Sequence, residues 1–150
     1  MTQRQPLGLT RTAVITAPYD EDYIAKNYSE SGTVLPFYDN STRGAGSVYS
    51  SVHDLIRFGM FHLKNNLTDK EQILSDKTID EMQNTVDPVS TYTLSWDVTT
   101  KYGYRIVRHG GGAWGARTSL QFIPSENIAV CVLCNGWSKS SPDWNYTSNL

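Results

Sequence analysis

The sequence lacks several features that would place it quickly in a class of protein. Its longest apolar run is AVCVL at 129–133, whereas about 20 apolar residues are needed to cross a bilayer. There are 13 Lys and Arg residues against 15 Asp and Glu residues, and the net charge is −2. No basic surface for a nucleic acid is therefore indicated. These absences argue against a membrane span and against a nucleic-acid partner.

The first residues of the sequence do not indicate the cellular compartment of the protein. The segment MTQRQPLGLTRT has no apolar core of the kind found in secretory signal peptides. The compartment is therefore unknown, and a periplasmic or secreted location stays open if an export signal lies upstream.

Cysteine is scarce, and its two copies form a C-x-x-C pattern. Cys131 and Cys134 lie in NIAVCVLCN, and this spacing is typical of redox and zinc sites. In a strand, however, residues three apart point to opposite faces, so the two sulfur atoms cannot meet. No second Cys or His pair lies nearby to complete a metal site. We expect buried, reduced strand cysteines that behave as small hydrophobic residues, and neither a metal nor a cofactor is indicated.

Length and composition predict one domain with a hydrophobic core. The chain has 150 residues, of which 39% are hydrophobic and 19% charged, which is typical of a globular protein. Residues 1–90 are expected to form an irregular part followed by a helical part. Residues 91–136 are expected to form antiparallel strands, and residues 137–150 a polar, loop-like tail.

Two helices are predicted from capping residues and apolar spacing. Ser51 and Asp54 form a capping box at the start of the first helix, and Ser75 is a natural N-cap for the second, in LSDKTIDEMQN. Residues at helical spacing are expected to form the core-facing stripes of these helices. They are Val52, Leu55, Ile56, Met60 and Leu63 in the first helix, and Ile79 and Met82 in the second.

Four strands are predicted after the helices, where the apolar period changes to two. They are YTLSWDV (92–98), YGYRIVRH (102–109), ARTSLQFIP (116–124) and NIAVCVLCN (127–135). β-Branched and aromatic residues are frequent in all of them. The connections are short, one of them glycine-rich, so neighbouring strands must be antiparallel.

The glycine-rich segment RHGGGAWGARTSLQFIP at 108–124 allows more than one interpretation. Gly110, Gly112 and Gly115 satisfy G-x-G-x-x-G, but a dinucleotide site requires a helix directly after the glycines. The strand-like ARTSLQFIP follows instead, which excludes that interpretation. On local evidence alone, a glycine-rich hairpin loop with an incidental histidine would also account for the segment.

Several segments occur together in a recognisable order. They are PLGLTRT at 6–12, GAGSVYSSVHDLIRFG at 44–59, YTLSWDV at 92–98, and HGGGAWG with FIPSENIAVCVLCNG within 109–136. In this order they resemble the C-terminal half of the serine β-lactamase-like hydrolases, the family that joins class C β-lactamases, DD-peptidases and related esterases and amidases. The resemblance implies an α+β fold in which an antiparallel sheet packs against helices, as part of a β-lactamase/DD-peptidase-like domain.

The resemblance also implies a site. His109, Gly110 and Gly111 match the family's K-T-G or H-x-G strand at the edge of the cleft. His109 would be the catalytic residue in this segment and would orient the substrate or the family's tyrosine. Gly110, Gly111 and Gly112 would bind substrate, and the Gly112 N–H would serve as an oxyanion-hole donor.

The family's reacting groups are absent from the sequence. No serine is followed three residues later by lysine, so there is no S-x-x-K nucleophile. The strings Y-x-N at 38–40 and S-x-N at 125–127 fall at the wrong places in the order and are interpreted as chance matches. The chain is therefore expected to be a C-terminal fragment of a serine hydrolase acting on amide, ester or β-lactam bonds, and inactive alone. The alternative is a non-catalytic binding or scaffolding module with the same half-fold.

The resemblance finally implies a partner. In the complete protein a small-molecule or peptide substrate would bind the cleft. The strand at 127–135 would lack a neighbour that the family places beside it, which leaves an apolar edge open to pairing. We expect the chain to require its missing N-terminal half, or to self-associate through this edge.

Overall fold

The computed structural model describes residues 6–14, 24–37, 42–65, 72–84 and 90–136. The predicted loop-like tail at 137–150 lies outside these ranges. The helices and strands are, in chain order, β1 (Ala13–Val14), α1 (Arg43–Gly46), β2 (Val48–Tyr49), α2 (Val52–His62), α3 (Asp76–Gln83), β3 (Asp97–Lys101), β4 (Tyr104–Ala113), β5 (Ala116–Ile123) and β6 (Ile128–Cys134).

The main sheet is an antiparallel meander in the order β3-β4-β5-β6. Short connections join its strands, and the last of them is a 3-10 turn at Pro124–Glu126. The antiparallel arrangement packed by helices confirms the α+β prediction. No helix in the described ranges is long and apolar enough to cross a membrane.

The boundaries predicted for the first two strands of this sheet were wrong. Strand β3 begins at Asp97, whereas a strand was predicted over 92–98. The chain bends before Asp97 because the Thr93 amide donates to the Trp96 carbonyl at 2.7 Å, and Ser95 adopts a left-handed φ of 72°. Strand β4 runs through all three glycines, whereas it was predicted to end at His109 before a glycine-rich turn. The glycines are extended because β5 pairs with each of them.

A second, two-stranded sheet was not predicted. Strands β1 and β2 pair with Ala13 opposite Tyr49 and Val14 opposite Val48. Each strand has two residues, too few for alternation of polar and apolar residues to be visible in the sequence.

The helix starts were predicted correctly, and the buried face of α2 was predicted in part, since Leu63 packs against the core. The Ser51 side chain accepts a hydrogen bond from the Asp54 amide, and Ser75 accepts one from the Thr78 amide. Val52, which was assigned to the core stripe, is 46% exposed. Phe61 and His62 are buried instead, because the last turn of α2 lies against the core aromatic residues.

The core lies between α2 and the inner face of the sheet. Trp96, Val107, Leu120 and Phe122 form its buried centre, and Phe58 of α2 packs against them. Helix and sheet approach closely at Gly59, where a Cβ atom would lie 3.2 Å from the Cβ of Ala129. This contact fixes the distance between α2 and strands β5 and β6.

A buried carboxylate ties the N-terminal segment to α2. Asp54 is 1% exposed and accepts hydrogen bonds from the Arg11 amide and the Thr12 hydroxyl, each at 2.7 Å. Burial alone would raise the pKa of Asp54, but hydrogen bonds from Thr12, Arg11 and His53 lower it overall. Hydrogen bonds to the charged form thus outweigh its desolvation, and the segment at 7–12 is held against the helix.

The core also contains a neutral histidine. His62 is 1% exposed, and its ring packs edge-on against Phe58 and Trp96, with centroids 4.6 and 4.8 Å away. Its Nδ1 atom is buried without a hydrogen-bond partner in the described part of the chain. Burial lowers the pKa of His62 to about 4, because the protonated ring would lose its hydration.

We predict that His62 makes the fold sensitive to acid. The unfolded state binds a proton at this ring near pH 6.5 and the folded state only near pH 4. The free energy of unfolding should therefore fall as pH drops through this window, by up to about 3 kcal/mol. Urea unfolding at pH 7 and pH 4.5 measures the fall. His62→Leu should remove most of it, and His53→Gln, at a side chain that is 73% exposed, should retain it. An equal fall in the His62→Leu variant would contradict the assignment.

Candidate functional site

The candidate site is a groove along the part of β4 that β3 does not cover. The β3–β4 ladder ends at the pair Asp97–Arg108, whereas the β4–β5 ladder continues to Ala113–Ala116. The groove has a volume of about 510 Å³ and is lined by Tyr92, Asp97, residues 108–112 of β4 and residues 117–119 of β5. All four residues predicted for the site, His109 and Gly110 to Gly112, therefore lie together on one wall.

The direction of the backbone amides follows from the hydrogen-bond pattern of the ladder. The Val98 amide donates to the Thr91 carbonyl at 2.7 Å, on the side of β3 away from β4. Since amides alternate in direction along an antiparallel strand, Asp97 and Arg108 form a hydrogen-bonded pair. Counting on from Arg108, the amides of Gly110 and Gly112 point toward the uncovered edge, and the amide of Gly111 points toward β5.

His109 lies on the inner face of the sheet, at the end of the core. Its cross-strand partner is Leu120, and Val107, two residues earlier on the same face, is fully buried. The imidazole itself is exposed. Its Nε2 atom lies 3.1 Å from the hydroxyl of Tyr92, so the two side chains form a hydrogen-bonded pair at the inner rim of the groove.

The outer face of the groove carries charge. Arg108 pairs with Asp97 across the strands, with Nε and Nη2 each 2.8 Å from the carboxylate Oδ2. Arg117 lies over Gly112, where a Cβ atom would be 2.7 Å from its Nη1. The same Nη1 donates to the carbonyls of Ala113 and Ala116 at 3.1 and 3.0 Å. Glycine at 112 is therefore required for the guanidinium to lie over the strand.

The turn that ends the glycine strand is anchored from outside the sheet. Trp114 and Gly115 form a two-residue connection, and the Trp114 carbonyl accepts a hydrogen bond from the Asn27 side chain at 3.1 Å. Gly115 has a φ of 70°, and a Cβ atom there would lie 2.6 Å from Leu35 and 3.0 Å from the Tyr28 carbonyl. The segment at 27–35 thus fixes where the glycine strand ends.

The groove offers hydrogen-bonding groups but carries no activated nucleophile among its described residues. Its side-chain hydroxyls include those of Thr118 and Ser119. The Ser119 hydroxyl accepts a long hydrogen bond from the Gln121 side-chain amide, with a donor–acceptor distance of 3.4 Å. No lysine lines the groove to act as a base. In the described ranges, no cluster of three or more His, Cys, Asp or Glu side chains could hold a metal ion.

The two strings interpreted as chance matches lie apart from this wall. The S-x-N string at 125–127 falls in the 3-10 turn and the left-handed Asn127 that follows it, and it does not line the groove. The Y-x-N string at 38–40 lies outside the described residues.

The arrangement can bind an extended carbonyl compound. An uncovered strand edge with two outward amides can pair with a substrate backbone, and the same amides can stabilise negative charge on an oxygen. Sequence reasoning missed the other residues that line the groove, among them Tyr92, which contacts His109. In a straight strand over 92–98, Tyr92 would lie opposite Ala113, about 14 Å along β4 from His109. The bend at Thr93–Trp96 instead places the Tyr92 hydroxyl 3.1 Å from His109.

Most of the chain resembles known proteins of one family. Residues 4–147 match the family model named Beta-lactamase. The chain is 26% identical over 145 residues to the unguisins hydrolase ungD' of Aspergillus campestris, a match that covers 87% of this chain and 27% of that protein.

Solved structures share the fold at lower identity. The octameric penicillin-binding protein homologue from Pyrococcus abyssi superposes with a TM-score of 0.71 at 23% identity, over 89% of this chain and 32% of that one. A class C β-lactamase from Rhodobacter sphaeroides superposes with a TM-score of 0.75 at 15% identity, over 97% of this chain and 50% of that one. The chain thus spans about a quarter of the length of the curated relative and a third to a half of these two structures.

We predict that Gly115 is the least replaceable of the turn glycines. Gly115→Ala combines a left-handed backbone, which costs about 1 kcal/mol, with steric overlap, which costs about 1–3 kcal/mol more. Gly103→Ala is the matched control, because Gly103 has a φ of 84° but no atom within 4 Å of an added Cβ. Urea unfolding should show a loss for Gly115→Ala at least twice that for Gly103→Ala. Equal losses would contradict the packing of the turn against residues 27–35.

Proposed function

The chain belongs to the β-lactamase family, and we propose that it forms the substrate-binding wall of a serine hydrolase that acts by acyl transfer on amide, ester or β-lactam bonds. Residues 1–150 form one partial domain of that enzyme. The observation that carries the proposal is the uncovered edge of β4 at 109–112, with a histidine at its start and two amides pointing outward.

Each residue of this wall has a role in the proposal. The outward amides of Gly110 and Gly112 bind the substrate, and the Gly112 amide stabilises the oxyanion that forms when the carbonyl is attacked. His109 orients the substrate or the acid–base residue through hydrogen bonds. Gly111 admits no larger residue without rearrangement, because a Cβ atom would lie 2.8 Å from the Thr118 hydroxyl. The small residues keep the edge accessible to a substrate backbone.

The nucleophile is supplied by residues outside these 150. Two facts support this part of the proposal: the sequence contains no S-x-x-K, and the chain spans only 27–50% of the length of the relatives described above. An acyl-transfer enzyme needs an activated nucleophile as well as an oxyanion site. The chain by itself is therefore expected to bind without reacting.

Labelling with a fluorescent penicillin or a fluorophosphonate probe tests the proposal. The isolated chain should not be acylated. A fusion of the chain to a family N-terminal half that bears S-x-x-K and Y-x-N should be acylated. In this fusion, His109→Ala should slow labelling by about a hundredfold, the size of effect that a misplacement of about 1 Å at the reacting groups produces. His53→Ala, at an exposed histidine outside the groove, is the control and should label at the parent rate.

Two outcomes would contradict the proposal. Acylation of the isolated chain would place a nucleophile within these residues. A folded fusion that no probe labels would favour the alternative of a non-catalytic binding or scaffolding module.

The outer strand of the sheet is the second element of the proposal. Ile128, Val130 and Val132 are 51%, 40% and 42% exposed on one face of β6. Within the described ranges no strand pairs with the free side of β6. An apolar, unpaired edge of this kind invites pairing with another chain. We propose that a second copy covers it when the chain is isolated, and that the remainder of the enzyme covers it otherwise; the Pyrococcus abyssi homologue is octameric.

We predict that charge on this face weakens self-association. Light scattering across a concentration series should show the wild-type mass rising above that of the monomer. Val132→Lys should shift the series toward the monomer, because a lysine on an edge strand opposes edge-to-edge pairing. Val52→Lys, on a helix residue that is 46% exposed, should behave as the wild type. A single monomer peak for the wild type at the highest concentration would refute the role of β6.

A further inference from the structure

Tyr92 contacts the histidine of the site and has no role in the function proposed above. Its hydroxyl lies 3.1 Å from Nε2 of His109, and the two ring centroids are 6.3 Å apart at an interplanar angle of 62°. In the part of the chain that the structure describes, Nδ1 of His109 has no hydrogen-bond partner. The two nitrogens of the imidazole therefore differ. Nε2 is hydrogen-bonded to Tyr92, and Nδ1 is available to bind another group.

The backbone of Tyr92 is fixed by its neighbours. Its amide donates to the Ser90 hydroxyl at 3.1 Å, and that hydroxyl donates to the Tyr92 carbonyl at 3.2 Å. On either side, the Val98 amide donates to the Thr91 carbonyl and the Thr93 amide to the Trp96 carbonyl, each at 2.7 Å.

Thr93 adds a link to α3. Its hydroxyl donates to the Met82 carbonyl at 2.7 Å. The bend that carries Tyr92 is thus bonded both to β3 and to a helix. The backbone of Tyr92 is thus held by packed structure, although the residue is 54% exposed.

We propose that Tyr92 is a positioning residue that fixes the orientation and the tautomer of His109. The phenol donates its proton to the Nε2 lone pair, so the neutral ring carries its own proton on Nδ1. When the ring is protonated, the Nε2–H donates to the phenol oxygen instead. Nδ1–H is then the donor that His109 offers to a bound carbonyl or to a reacting group, because the bond at one ring nitrogen sets the state of the other. The consequence for catalysis rests on the proposed function, whereas the tautomer does not.

Nitrogen-15 NMR of the isolated chain tests the tautomer directly. His109→Gln assigns the signals among the three histidines. Above the titration range, the wild type should show a protonated-type shift at Nδ1 and an unprotonated-type shift at Nε2. Tyr92→Phe removes only the hydroxyl and should shift the ring toward a mixture of tautomers. Tyr102→Phe is the matched control, since Tyr102 is 76% exposed on the β3–β4 turn, and it should match the wild type.

Acylation of the fusion that bears S-x-x-K tests the consequence separately. Tyr92→Phe should slow labelling by about threefold to tenfold, the size of one neutral hydrogen bond, and should change the dependence of the rate on pH. Tyr102→Phe should change neither. If wild type and Tyr92→Phe give the same His109 spectrum, or if the wild type carries its proton on Nε2, the inference is overturned. If the spectra differ as expected but the fusion is never labelled, the proposed function fails while the positioning role stands.

Discussion

Strand β4 extends beyond strand β3 by the residues from His109 to Ala113, and the groove exists because of this difference. An antiparallel strand offers hydrogen-bonding groups alternately to its two sides, so β5 satisfies one set and β3 would satisfy the other. Where β3 is absent, no strand in the described ranges pairs with the amides of Gly110 and Gly112. Open amides on a rigid strand are suited to bind an extended backbone or a developing oxyanion, since they need no reorganisation when the charge appears.

The rest of the fold keeps that edge in place. Buried Val107 and Phe122 hold the first half of β4 to β5 and to α2, so the glycine half projects from a packed core. The anchored turn at Trp114–Gly115 fixes its far end. A neutral histidine inside the core, His62, is stable there only while it is unprotonated. The glycine strand is thus held at both ends and carries few side chains between them.

Patterns of spacing and capping were enough to predict both main helices, the antiparallel order of the four strands, and the place of His109 on the sheet. These patterns did not predict where β3 begins. The start of β3 is set by the hydrogen bond between Thr93 and Trp96 and by the left-handed backbone of Ser95. Neither feature changes the spacing of apolar residues in the sequence. For the same reason the contact between Tyr92 and His109 was not predicted. The three glycines were interpreted as a turn because glycine is rare in strands, whereas here their pairing with β5 keeps them extended.

Amide hydrogen exchange along β4 tests the central claim most directly. The amides of Arg108, His109 and Gly111 should be protected, since β3 or β5 accepts each of them, and the amides of Gly110 and Gly112 should exchange rapidly. Uniform protection from 108 to 112 would mean that the edge is covered. Protection of Gly110 and Gly112 with fast exchange at Gly111 would reverse the direction assigned to the strand, and either result would contradict the account.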